Sequence, residues 1–368
     1  MFKKVITMRT QLPPSPLTRA GLLAGALALS ASAATASWYP VTVDVWEPAF
    51  DMNSPRTQVD YAPLESAEQA WDLCVSFPHM KDAYWLAVNY GVIAEAERLG
   101  VNARIVEAGG YTELNTQISQ IEDCVAGGAD AVIIGAISAD GLNNVVSEVR
   151  AEGIPVIDVI NGISSPELSA KSLVSFGEMG FRAGQYLAEK HPAGSETVRV
   201  AWFPGPSGAG WVEAGNVGFQ NGIEGSAIEI VDTRYGDTGK EAQLSLVEDA
   251  VEANPEVDYI VGTAVTAEAA TGYLRSRGLD EQIDIMSYYF TPGVYRGIRR
   301  GQILGAPTDS TVLQGRIAVD QAVRILEGKE YLPHVGPQLY IVDGENVGNF
   351  DRDAALAPDG FRPQFSTD

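Results

Sequence analysis

Twice along this chain, short strands of apolar residues alternate with helical stretches. In the first array the strands are expected at Trp71–Phe77, Val101–Val106, Ala131–Ile134 and Pro155–Ile157. Helical spacing of apolar residues fills Asp82–Leu99, Leu114–Val125 and Asp140–Glu152 between them. In the second array strands are expected at Val198–Trp202, Ala227–Val231, Tyr259–Val261 and Ile283–Met286. Helices are expected near Val212–Ile223, Lys240–Ala253, Ala267–Arg277 and Thr311–Leu326. Strands this short and this apolar are covered on both faces, as in parallel sheets flanked by helices. Two such arrays predict an α/β fold of two doubly wound parallel-sheet domains joined by a hinge. The expected first lobe is 71–176 with 309–335, and the second is 177–308 with 336–368. Ligands of such sheets sit beyond the carboxyl ends of the strands, so facing lobes would line one cleft with those ends.

The N-terminus reads differently. Lys3, Lys4, Arg9 and Arg19 precede the apolar run Ala20–Leu29, and small residues follow at Ala31-Ser32-Ala33 and Ala34-Thr35-Ala36. That layout is a secretory signal peptide over residues 1–36, and the run is too short to span a bilayer. The mature chain is therefore expected in a bacterial periplasm. Residues 37–70 carry four prolines and several aromatics without a clean period, and read as an extended N-terminal arm. An exported chain meets an oxidising compartment. Its two cysteines, Cys74 and Cys124, have two outcomes open to them: one disulfide or two buried thiols.

The formal charge is −23, which argues against nucleic acid or anionic lipid as a partner. No zinc spacing occurs, so neither a metal nor another cofactor is expected. His79, His191 and His334 lie in loop-like contexts and are expected on the surface. The turn Gly205-Pro206-Ser207-Gly208-Ala209-Gly210 matches a phosphate-binding glycine motif poorly and lacks a Walker lysine. No nucleophile–base pair is evident, so the chain reads as a binder, not an enzyme. What does collect at the expected strand ends is aromatic. Tyr84 and Trp85 follow the first strand, Tyr111 the second, Trp211 the first strand of the second array, and Tyr288 and Tyr289 its fourth. Asp82 and Asp309 add carboxylates, and Ser138, Asp140 and Asn161 are further candidates by topology. π faces with a few acidic oxygens suit a small methylated ammonium group. They suit a phosphate or dicarboxylate badly, because no basic cluster accompanies them.

Over residues 71–343 the order and spacing resemble the ribose-binding, type I, periplasmic binding proteins. Asp82-Ala83-Tyr84-Trp85 stands at that family's Asn-Pro-aromatic-aromatic turn, and Gly153-Ile154-Pro155-Val156-Ile157 at its fourth strand. Asn161 stands where sugar binders carry an arginine, and Tyr289 where they carry an aspartate. Asp309 falls near their last polar ligand residue. The resemblance thus implies the sugar-binder fold with hydroxyl-grasping groups replaced by rings. A closer resemblance, to periplasmic receptors for trimethylamine N-oxide (TMAO), rests on several segments. They are Trp38-Tyr39-Pro40-Val41, Phe50-Asp51-Met52-Asn53-Ser54, Phe77 to Trp85, Glu107 to Tyr111 and Gln117 to Cys124.

That resemblance implies a receptor that closes on TMAO and signals through the periplasmic domain of an inner-membrane sensor histidine kinase in a two-component system. The expected ligand residues are Asp82, Tyr84, Trp85, Tyr111, Trp211 and Tyr289, with Ser138, Asp140, Asn161, Tyr288 and Asp309 weaker. A rival is the receptor of an ABC importer for a sugar or a quaternary amine. An exported enzyme on the same fold would need a catalytic pair that the sequence does not offer. A cytoplasmic repressor is disfavoured by the export segment and by the lack of a basic headpiece.

Overall fold

The structure is a computed structural model that describes Gln11 and residues 37–367. The expected signal peptide lies outside the described residues, Gln11 apart. Among the described residues no helix is long and apolar enough to cross a membrane.

The arm is more structured than its sequence suggests. It forms β1 (Val41–Trp46) and β2 (Arg56–Tyr61), an antiparallel pair. The first βα array follows as β3 (Asp72–Phe77), α1 (Ala83–Leu99), β4 (Asn102–Glu107), α2 (Leu114–Ala126), β5 (Ala131–Ile134), α3 (Asn143–Ala151), β6 (Val156–Val159) and β7 (Ala170–Ser172). The second runs through α4 (Phe176–Lys190), β8 (Val198–Gly205), α5 (Gly210–Ile223), β9 (Ile228–Tyr235), α6 (Lys240–Ala253), β10 (Tyr259–Gly262), α7 (Ala264–Arg277), β11 (Asp284–Ser287) and α8 (Pro292–Arg299). The chain ends with β12 (Gly305–Thr308), α9 (Thr311–Leu326), β13 (His334–Pro337), β14 (Tyr340–Asp343) and α10 (Arg352–Ala355).

Eight strands form the first sheet in the order β2-β1-β13-β7-β6-β5-β3-β4, parallel from β13 to β4. Four parallel strands form the second in the order β11-β10-β8-β9, and β12 pairs with β14. Strands β5, β6 and β10 are buried along their whole length, the pattern expected of parallel strands sandwiched by helices. The chain passes between the two sheets after β7, before α9 and after β13. These crossings form the hinge.

Local chemistry fixes the elements. Asp82 caps α1 by accepting from the Trp85 backbone N–H at 3.1 Å, and Gly100 ends the helix in the left-handed region at φ 77°. Thr291 caps α8, with Pro292 as its first residue. Cys74 on β3 and Cys124 on α2 are joined as a disulfide, with Cα atoms 6.0 Å apart. That resolves the two outcomes the sequence leaves open.

Three features depart from the sequence reading. The arm's strands extend the first sheet, where β1 pairs antiparallel with β13. Its Tyr61 hydroxyl is held in a buried node with Asp320, Gln321 and Arg324 on α9. The expected lobe boundary after residue 335 falls inside β13. The tail, read with the second lobe, returns to the first: Ile105 N–H donates to the Phe365 carbonyl at 2.8 Å, beside β4.

Candidate ligand chamber at the strand ends

Several strands deliver side chains from beyond their carboxyl ends to a common chamber. From the first lobe come Asp82, Tyr84 and Trp85 beyond β3, Tyr111 beyond β4 and Asn161 beyond β6. The hinge end of α4 gives Phe176. From the second lobe come Trp211 beyond β8, Thr238 beyond β9 and Tyr289 beyond β11. Together they close tightly, leaving a space of about 10 Å³, on the order of the room for one water molecule.

The rings meet across the two lobes. Tyr84 and Tyr289 are edge to face with centroids 5.0 Å apart, and Tyr111 lies 5.8 Å from Trp211. Phe176 packs on Trp211 at 5.1 Å, and Trp85 is tilted against Phe77 at 5.1 Å. Two glycines make room. A Cβ on Gly135 would lie 2.5 Å from the Trp85 ring, and one on Gly205 would lie 2.7 Å from the Trp211 ring. Gly205 also holds φ at 123°, a conformation that side chains resist.

Asp82 is the only charged residue lining the chamber. Burial raises its pKa to about 6. Asp309 stands one layer behind, at the crossing before α9. It accepts from the Tyr84 hydroxyl at 2.5 Å and from Gln314 Nε2 at 2.9 Å, and burial raises its pKa to about 6 as well. Burial likewise pushes the Tyr84, Tyr111 and Tyr289 hydroxyls up, so all three remain protonated donors. The Tyr111 hydroxyl accepts from Asn161 Nδ2 at 2.9 Å, leaving its own proton to give. Trp211 Nε1 is buried with no protein acceptor in hydrogen-bond geometry. At the mouth, Lys81 reaches Asp237 at 2.5 Å, and His79 Nε2 lies 3.4 Å from the Thr238 hydroxyl.

The structure gathers Asp82, Tyr84, Trp85, Tyr111, Asn161, Trp211 and Tyr289 as the strand-end rule predicts. It sends others elsewhere. Ser138 accepts from the Gly141 N–H and shapes its own loop. Asp140 is exposed and accepts from Ser164 Oγ at 2.6 Å. Tyr288 turns away from the chamber and donates to the Pro204 carbonyl, stacked beyond Trp211. Both lie in the bend after β11, and of the two only Tyr289 lines the chamber. Phe176 and Thr238 were not foreseen, because neither follows an expected strand directly. The histidines also need correction. His79 and His334 are buried, and burial pushes each pKa down to about 3, so both are neutral. His79 lies edge-on to Tyr111 at 5.4 Å, and His334 stacks on Trp46 at 4.3 Å. His191 is half-buried against Tyr259. Among the described residues no cluster of histidine, cysteine and carboxylate side chains has the makings of a metal site.

Two parallel sheets, three hinge crossings and a closed chamber at the strand ends define a two-lobed receptor for a small molecule. The sequence matches the family described as "Periplasmic binding protein domain" over residues 73–330, and the chain belongs to it. It is 37% identical to "Periplasmic protein TorT" of Escherichia coli K12 over 82% of this chain and 86% of that protein. It is 23% identical to the ribose import binding protein RbsB of Bacillus subtilis, over 70% of this chain and 82% of that one. Among solved structures, an ABC transporter solute binding protein from Bradyrhizobium sp. BTAi1 with bound Bis-Tris is 61% identical. It covers 90% of this chain and 99% of its own, at a TM-score of 0.79. A complex described as the TorS sensor domain with TorT in the presence of TMAO is 37% identical. It covers 80% of this chain and 99% of its own, at a TM-score of 0.74. These relatives are described as a periplasmic protein found in complex with a sensor domain, a ribose import binding protein and a transporter solute binding protein.

Proposed function

We propose that this chain captures TMAO in the aromatic chamber and reports its occupancy to the periplasmic domain of a TorS-like sensor histidine kinase, without making or breaking a covalent bond. The observation that carries the reading is the wall itself: six rings, one carboxylate and no cation around a tightly closed space. A trimethylammonium group offers positive charge spread over methyls, which ring faces attract by roughly 0.5–2 kcal/mol each. Asp82 complements that charge. The N-oxide oxygen needs donors, and Tyr111, Tyr289 and the unsatisfied Trp211 Nε1 supply them. A sugar would leave its ring of hydroxyls facing apolar walls, with several of them unpaired. One relative was solved with TMAO present, and another holds Bis-Tris, a tertiary amine that also carries several hydroxyls. Export through the segment at 1–36 would deliver the chain to the compartment where its relatives work.

Calorimetry of the purified mature chain tests this reading against TMAO, betaine, choline and ribose. TMAO binding tightest supports it, and ribose binding tighter than TMAO overturns it. The second reading, a receptor feeding an ABC importer, is favoured by the description of the 61% identical relative as a transporter component. It shares the chamber and differs in the partner.

The carboxylates give a pH dependence with a definite sign. Asp82 titrates near 6 in the free protein, and a bound ammonium favours its ionised form. Affinity therefore approaches its full value from about pH 7 upward and is lost as pH falls through 6. For that one carboxyl the loss between pH 7 and pH 5.5 is about fourfold. Titrations at the two pH values check it, and affinity that rises on acidification would contradict the role given to Asp82.

A further inference from the structure

A second, larger concavity opens on the outer side of the chamber wall. It is a groove of about 890 Å³ running from the arm across the hinge to the exposed faces of α4 and α5. Asn161, Phe176 and Trp211 line both the groove and the chamber. A ligand on one side and a protein on the other would thus press on the same three side chains. The groove also draws on both lobes: Met52 and Arg56 come from the arm on the first sheet, Phe181 and Val217 from the second lobe. Its width therefore follows the lobe arrangement.

Its surface suits a protein better than a small molecule. Phe181 is 41% exposed and Val217 is 56% exposed, side by side on adjoining helices. Together they give the groove an apolar surface that a partner can cover. The charge is also local. In a chain of net −23 the groove is lined by Arg56, Arg182 and Lys171 against Glu178 and Glu213, so it lacks the acidic excess of the chain as a whole. Lys171 is buried against Asp158, Arg56 pairs with Glu178 and Asp44, and Arg182 pairs with Glu178; both guanidiniums stay partly exposed.

We propose that this groove is the docking site of the sensor kinase's periplasmic domain. The occupant is an amphipathic helix whose apolar stripe covers Phe181 and Val217 and whose carboxylates meet Arg56 and Arg182. This rests on the reading that the chain signals through such a sensor. Coupling through the shared wall is reciprocal: whatever factor TMAO adds to sensor affinity, the sensor adds to TMAO affinity.

The test uses the mature chain and the purified periplasmic domain of the sensor from the same organism. Val217→Glu and Phe181→Glu are each titrated with the sensor domain, and separately with TMAO. Each is expected to weaken sensor binding by about tenfold or more while leaving TMAO affinity within about twofold. Phe365→Glu, on the exposed tail beside β4, is expected to leave sensor binding unchanged. Wild-type sensor affinity in both groove variants overturns the proposal. A wild-type chain that binds TMAO but no sensor domain, with or without ligand, overturns the signalling reading and this site with it.

Discussion

Trp85→Ala is expected to weaken TMAO binding by about 1–3 kcal/mol, which is roughly 5- to 150-fold. The indole is 2% exposed, at the first turn of α1, and faces the chamber from the first lobe. Its removal takes away one π face and enlarges a small cavity, so the ligand loses attraction and close contact together. Phe77 and the close approach at Gly135 hold the ring in place. A buried tryptophan also supports the core, so the variant's melting temperature is measured alongside. Trp85→Phe separates the two effects. It keeps a ring in the core and is expected to fall between wild type and Trp85→Ala in affinity. Calorimetry that finds both variants equal to wild type would remove Trp85 from the binding surface.

The other large effect is on stability. The Cys74–Cys124 bond closes a loop with a sequence separation of 50 between β3 and α2. Loop-closure entropy for that length corresponds to about 4 kcal/mol, and native disulfides typically contribute about 2–4 kcal/mol. Replacing both cysteines with alanine is therefore expected to lower the melting temperature by about 3–6 °C. Neither cysteine lines the chamber, so TMAO affinity should stay within about twofold of wild type. Calorimetric scans of the two chains check the first expectation and titration the second. An unchanged melting temperature would mean that the packing of α2 on β3 already supplies that constraint.

The alternation of apolar strands with helices made both sheets readable from the residues. Helices such as Lys240–Ala253 and Thr311–Leu326 fall where the apolar spacing puts them. Elements whose pattern is blurred escaped. Helix α4 carries Gly177, Gly180 and Gly184, which mask its period even though they let it lie close against α5. Strands β1 and β2 sit at the edge of the first sheet, half-exposed and separated by prolines, and read as an arm. The site was legible as far as the strand-end rule reaches. That rule finds Trp85, Tyr111, Trp211 and Tyr289, because each lies within a few residues of a strand's carboxyl end. It says nothing of which way a loop turns, so it also nominates Ser138 and Asp140, whose side chains stabilise their own loops. Nor does it reveal that Asp309 acts through Tyr84, a link across a sequence separation of 225.

Ligand choice depends on the geometry of the closed rings around one carboxylate. Soaking or co-crystallising the mature chain with TMAO measures that geometry directly. The account predicts the ligand nitrogen within about 6 Å of the centroids of Trp85, Trp211 and Tyr289, on the Asp82 side, with the oxygen against a tyrosine or indole donor. A crystal in which TMAO lies outside the chamber, or in which a sugar fills it with its hydroxyls paired, would contradict it.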